Sequence, residues 1–163
     1  MSKIRLSILL LTSFVIFSCT TNLVNHSSQK YSLAYIDGKF DGLLLKNNLI
    51  SSLKELNIYD QNSKFEIQAN INHSSKLFIT NINNTSDREK IITKLSFQIV
   101  NKISNCQVYR DQIIVSQFYI YASSDKFLSN KSALKKIKKY NTESAVKKLL
   151  YKLNYVNDKC DEK

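Results

Sequence analysis

The sequence contains no proline and no tryptophan, and only two glycines in 163 residues. So few glycines leave no Gly-rich phosphate loop and no Gly-x-Ser-x-Gly elbow, and no His-Glu-x-x-His is present. The three cysteines form no Cys-x-x-Cys, and the two histidines, His26 and His73, stand apart, so nothing has zinc-ligand spacing. His73, in "NHSS", reads as a solvated loop residue in a hairpin turn. Cys106 has no histidine near it in sequence. The reading is therefore no catalytic residues, no metal, no cofactor and no enzyme. Acid is scarce as well: 13 Asp and Glu face 24 Lys and Arg, a formal net charge of +11. Such a surface suits anionic partners, among them nucleic acid, phospholipid headgroups and phosphorylated glycolipid. The crowding of Lys, Asn and Ile is also what codon bias in an AT-rich genome produces, with no ligand involved.

Long apolar runs are missing too, and the one at the N-terminus is informative. Lys3 and Arg5 precede Leu6 to Phe17, which is apolar except for Ser7, Thr12 and Ser13. A run of about 12 residues falls short of the roughly 20 a spanning helix needs, and fits a secretory signal. It stops at "VIFSCTTN". Ile16-Phe17-Ser18-Cys19 resembles the bacterial lipobox, with an aliphatic residue three before the cysteine and a small one directly before it. That resemblance implies a diacylglyceryl group on the Cys19 thiol, cleavage before Cys19 and acylation of the new amine. A plain secreted protein cut at an ordinary small-residue site is the alternative. Two or more acyl chains anchor stably, at about 0.8 kcal/mol per buried CH₂. Thr20 is not the Asp that resembles an inner-membrane retention signal, so the expected location is the outer membrane, lipid-anchored and facing the periplasm. Export makes nucleic acid the least suitable partner.

Residues 1–18 thus read as a lipoprotein signal peptide and 19–30 as a lipidated tether, with "TTNLVNHSSQ" small and polar. Residues 31–156 read as one folded domain, large enough for a core, and 157–163 as a polar tail. Cys106 and Cys160 remain. The periplasm permits a disulfide, but spacing alone does not decide whether they pair.

Within the domain, "YSLAYI" predicts a first strand over Tyr31–Ile36, ended by Asp37-Gly38. Asp41 is expected to cap a helix from Gly42 to Leu56, with Leu45, Leu49, Leu53 and Leu56 on one face and Leu44 and Ile50 widening it. "KFEIQANI" and "KLFITNI" read as two strand runs, followed by the polar turn "NNTSDRE". "KIITKLSFQIVNKIS" places Ile91, Leu95, Phe97, Ile99 and Ile103 on one face of a long strand. Its partner is expected to bury Val108, Ile114, Phe118 and Ile120, although Ile113, Val115, Tyr119 and Tyr121 make the other face less polar than a solvated face should be. Residues 130–155 read as helix, one or two, with Lys131, Lys135, Lys138 and Lys139 on the outside of the first half. The predicted class is α+β: a two-layer sandwich with a mostly antiparallel four- to five-stranded sheet and two helices packed on one face.

This order of lipobox, tether, strand, helix, long hairpins and Lys-rich terminal helix resembles the lipopolysaccharide-assembly lipoprotein LptE family over residues 16–153. The residues that carry the resemblance are "NNTSDRE" before "KIITKLSFQIV", and the end "YASSDKFLSNKSALKKI…ESAVKKLLYKL". The Gly-rich start that the family often has after the lipid-bearing cysteine is absent. The resemblance implies a partner and plug of the LptD outer-membrane β-barrel that binds lipopolysaccharide. It assigns lipid A phosphate contacts to Arg88, Lys131 and Lys135, the positions matching the family's basic regions. The runner-up is an auxiliary lipoprotein of a phospholipid-trafficking ABC transporter, and a third option is a structural envelope lipoprotein.

Overall fold

The computed structural model describes residues 29–79, 87–120, 127–157 and 159–160. Cys19 and the proposed signal lie outside the described residues. The domain is an α+β two-layer sandwich. Strands β1 (Tyr31–Asp37), β2 (Phe65–Ile79), β3 (Asp87–Asn101) and β4 (Cys106–Ile120) form one sheet in the order β1-β2-β3-β4. Helices α1 (Lys39–Glu55) and α2 (Phe127–Leu153) contact the sheet and each other. Strand β1 runs parallel to β2, and the other two pairings are antiparallel, so β2 to β4 form a meander. The parallel pair is joined through α1, as a crossover connection requires.

The core follows from two periodicities. Odd positions of β2 and β3 are buried from Phe65 to Ile71 and from Ile91 to Ile99, while even positions face the helix-free side. Leu45, Leu49 and Leu53 of α1 and Ala145, Val146, Leu149 and Leu153 of α2 close over them. Helix α2 is one continuous 27-residue element. Thr142, at its middle, is buried, and its hydroxyl donates back to the Lys138 carbonyl at 2.8 Å, which keeps a poor helix former satisfied inside the helix.

Both glycines stand at the β1–α1 junction. Gly38 sits at φ +125°, a conformation that side chains with a Cβ rarely adopt, and a Cβ on Gly42 would meet the Asp37 carbonyl oxygen at 2.7 Å. Helix α1 starts earlier than expected, with Gly38 rather than Asp41 at the N-cap and no side-chain cap bond. Asp41 lies in the first turn, and its carboxylate turns to other partners.

Several expectations fail for identifiable reasons. "NHSS" is not a turn: β2 runs unbroken through it, paired residue by residue with β3 from Phe65↔Asn101 to Ile79↔Asp87. A long partner strand overrides a locally polar stretch. Ile103 lies in the β3–β4 turn and is exposed. In β4 the buried residues are Val108 and Ile113, whereas Ile114, Phe118 and Ile120 are exposed. A bulge explains the reversal. Val100 pairs with Gln107 but Ile99 with Tyr109, so Val108 is an extra residue, and every later side chain of β4 changes face.

The C-terminal end of α2 is fastened to the sheet. Cys106 and Cys160 form a disulfide, which answers the pairing question and ties the residues after α2 to the start of β4. Nearby, Lys152 donates to Asp111, and the Tyr31 hydroxyl donates to the Leu153 carbonyl at 3.2 Å. The polar tail therefore carries a covalent staple.

Candidate functional site

Strands β2, β3 and β4 outreach the rest of the fold. Pairing with β1 ends at Asn70, and Gly38 at the start of α1 packs against Ile71. Beyond that level the three strands continue as an overhang: Asn72–Ile79, Asp87–Lys94 and Ile114–Ile120. Among the described residues the first part of α2 accompanies it, since α2 ends beside Tyr31 at the opposite end, and the first turn of α1 reaches its base through Asp41.

The expected lipopolysaccharide contacts all fall in this half. Arg88 is the second residue of β3 rather than part of a turn, paired with Phe78 on one side and Ile120 on the other. Its even position turns it to the helix-free face, and it is exposed. Lys131 and Lys135 are exposed on the first turns of α2, in the helix layer. Asn141 Nδ2 donates to the Ile91 carbonyl at 3.4 Å, which sets the relative level. Lys135 lies about 9 Å beyond that point along the helix and Arg88 about 10 Å beyond it along the strand. The fold thus brings the three to one end but on opposite faces of the sheet. Lys138, expected on the outside of α2, turns inward, and its ammonium lies 3.6 Å from Asp41 Oδ2.

That contact belongs to a polar cluster whose members are far apart in sequence. His73 Nδ1 lies 2.7 Å from Thr93 Oγ1, and Nε2 is 3.9 Å from Asp41 Oδ2, with the His73 side chain 1% exposed. Asp41 favours the tautomer with the proton on Nε2, so the Thr93 hydroxyl donates to Nδ1. Nε2 itself has no hydrogen-bond partner. Burial pushes the His73 pKa below its ordinary value; Asp41 opposes the shift and Lys138 adds to it. The contacts of this histidine tie α1 and α2 to β2 and β3. Among the described residues no group of three His, Cys, Asp or Glu could hold a metal.

The helix-free face divides in two. Towards the β1 end it is a polar amide floor, where Gln98 Nε2 donates to Gln68 Oε1 at 2.8 Å and Asn70 Nδ2 to Asp37 Oδ2 at 3.0 Å. A wide concavity of about 790 Å³ opens there, with Arg110 and Gln112 also on its lining. Over the overhang the face is basic and apolar, with Arg88, Lys90 and Lys94 beside Ile114, Phe118 and Ile120.

Comparison with solved structures identifies the fold. Rare lipoprotein B from Shewanella oneidensis superposes with a TM-score of 0.64 at 10% identity, over 78% of this chain and 95% of that one. A minor lipoprotein from Acinetobacter baumannii gives 0.59 at 12% identity, over 79% and 92%. Lipoprotein B from Nitrosomonas europaea gives 0.58 at 11%, over 77% and 82%. What is shared is the fold. No protein-family model and no curated protein matches the sequence. At this identity, architecture is retained while side chains are almost wholly replaced, so function has to be argued from the site.

Proposed function

We propose that this chain is an outer-membrane lipoprotein of lipopolysaccharide assembly. In this reading it is a non-enzymatic partner and plug of an LptD-like β-barrel, and it binds lipopolysaccharide. The observation that carries the reading is the joint placement of a lipobox-like Cys19 and, after a short polar tether, a domain with the fold of lipoprotein B. The Cys106–Cys160 disulfide supports export, since such bonds persist in oxidising compartments.

The physical role assigned to each part is simple. Acyl chains on Cys19 hold the domain at the periplasmic side of the outer membrane and raise its effective concentration at the barrel. The polar lumen of a wide barrel accepts a two-layer domain. Arg88 from the helix-free face and Lys131 and Lys135 from α2 meet lipid A phosphates through charge-assisted bonds. No metal or cofactor takes part.

Affinity purification of the native protein tests this reading. The expected result is co-purification of an LptD-like barrel, and a mature N-terminus at Cys19 carrying diacylglyceryl and acyl mass. Changing Arg88, Lys131 and Lys135 together to Ala is expected to weaken lipopolysaccharide binding at least tenfold, and rising salt to weaken the wild type. Recovery of phospholipid-transporter components instead of a barrel, or lipopolysaccharide binding unaffected by the triple change, overturns it.

A further inference from the structure

Among the described residues β4 is an outer strand of the sheet, and its overhang exposes large apolar side chains on the face away from the two helices. Ile114 is 58% exposed, Phe118 56% and Ile120 68%. The register places a cation of β3 opposite each one: Lys94↔Ile114, Lys90↔Phe118 and Arg88↔Ile120. Lys90 Nζ lies 5.3 Å from the Phe118 ring centroid, so the two columns touch. One cross-strand pair, Ile92↔Ser116, interrupts the pattern. The next column inward, on β2, is Asn72, Ser74 and Lys76, all exposed. No carboxylate shares this face among the described positions of the overhang.

From Lys94 to Lys90 polarity therefore changes stepwise across the strands, apolar at the edge, cationic one strand in and polar two strands in, while Arg88 at the tip pairs with Phe78 of β2. Adjacent strands are about 4.8 Å apart, and the cation column from Arg88 to Lys94 is about 20 Å long. Apolar side chains of interfacial protein segments enter about 5–10 Å into the headgroup–acyl boundary, with cations level with the phosphates. The same ordering exists here along the sheet's own plane. A nucleic acid would use the cations but not three aliphatic or aromatic groups at the rim. A protein strand added to β4 would pair with its backbone and leave the cation column unused.

We propose that the β4 edge of the overhang is a membrane-docking edge for anionic glycerophospholipid bilayers. Ile114, Phe118 and Ile120 enter the headgroup–acyl boundary, and Arg88, Lys90 and Lys94 neutralise the phosphodiesters behind them. A shallow groove of about 250 Å³ between Arg88, Phe118, Tyr119 and Ile120 receives the terminal headgroup. Docking orients the domain: β2 runs 15 residues from its start beside Tyr31, where the tether enters, to the overhang. The docking column lies about 23–43 Å from the tether entry along the strands, and the two attachments together lay the strands along the bilayer. This does not rest on the lipopolysaccharide-assembly reading.

The absence of tryptophan makes the test direct. The full chain, processed by the cell and carrying Phe118→Trp, is reconstituted into phosphatidylglycerol or phosphatidylcholine vesicles. A second version carries Tyr140→Trp, an exposed position of α2 in the helix layer. The expected result is a blue-shifted Phe118→Trp emission, quenched by brominated acyl chains in the anionic vesicles only. It is lost in about 1 M salt, where the screening length falls to about 3 Å. Lys90→Glu with Lys94→Glu abolishes the shift, and Lys90→Gln with Lys94→Gln reduces it should the acidic pair not fold. Tyr140→Trp remains unquenched throughout. Three results overturn the proposal: no quenching at Phe118→Trp, equal quenching in neutral vesicles, or quenching only when lipopolysaccharide is present. Barrel co-purification is read separately, so either reading can fail alone.

Discussion

His73 is buried between two helices and two strands, and proton uptake there carries a cost. The groups facing it are Asp41 of α1, Thr93 of β3 and, through Asp41, Lys138 of α2. Burial outweighs the Asp41 carboxylate, so the folded pKa lies below the unfolded value of about 6.5. A lowered folded pKa means that the unfolded chain binds the proton more tightly. The contribution of His73 is therefore complete above about pH 6.5 and is lost as pH falls from there through the folded value. Urea midpoints measured from pH 7.5 down to 5 are expected to drop for the wild type and to stay flatter for His73→Gln. Asp111 does not confuse the measurement. Its pKa is lowered, chiefly by the hydrogen bond from Lys152, so its stabilisation is lost only below the ordinary carboxylate range. Equal slopes for the two proteins would show that His73 is not the group titrating. From sequence His73 reads as a solvated loop residue because its neighbours, Asn72, Ser74 and Ser75, are polar. The signal that it lies in a strand was the alternation continuing from Phe65 through Ile71, carried two residues further.

At the level of elements, periodicity gave both helices and the buried face of β3, because each repeats without interruption; β1 was legible from "YSLAYI" and the Asp37-Gly38 stop although its register shifts between Leu33 and Ile36. Strand β4 defeated it through one residue. Val108 and Tyr109 stand opposite the single residue Ile99 once the bulge is counted, and nothing in "CQVYRDQIIV" announces that. The puzzling lower polarity of the Ile113 and Val115 face was the trace of it: that face packs on the core. The disulfide is a second feature that only three dimensions reveal, since its cysteines are 54 residues apart. It closes a loop made of β4, the connection to α2 and all of α2. Chain-entropy reasoning assigns a loop of this size about 4 kcal/mol, and strain or residual structure lowers what is measured. Cys160→Ser is expected to lose about 2–4 kcal/mol of stability in urea unfolding, and reduction of the wild type should bring it to the same midpoint. Wild-type and variant midpoints that coincide without reductant would mean that the bridge contributes nothing beyond the Lys152–Asp111 and Tyr31–Leu153 contacts beside it.

Across the whole molecule, covering and function are divided between two ends. At the β1 end the sheet lies under both helices, and the large buried side chains, Tyr31, Phe65, Leu49, Leu53, Ile67, Ile99, Leu149 and Leu153, are 0–1% exposed. Beyond the level of His73 and Thr93, which Asp41 of α1 still reaches, β1 pairs with nothing further among the described residues, and the exposed residues include Ile120, Phe127 and Leu128. Both the cations assigned to lipopolysaccharide and the edge assigned to a bilayer belong to this thinly covered end. A surface that must accept a partner cannot also be sealed by its own helices. The division has a measurable consequence, because local opening is governed by how much burial holds a strand pair. Amide hydrogen exchange is expected to be slowest in Phe65–Ile71 and Leu95–Ile99 and at least about a hundredfold faster in Ser75–Leu77, Arg88–Lys90 and Gln117–Ile120, although all are paired strand. Anionic vesicles should slow exchange in the last two segments and leave the first two unchanged. Uniform protection along β2 would mean that the meander opens as one unit with the core, and the free energy separating the two ends would then be too small for the overhang to act as an independently docking blade.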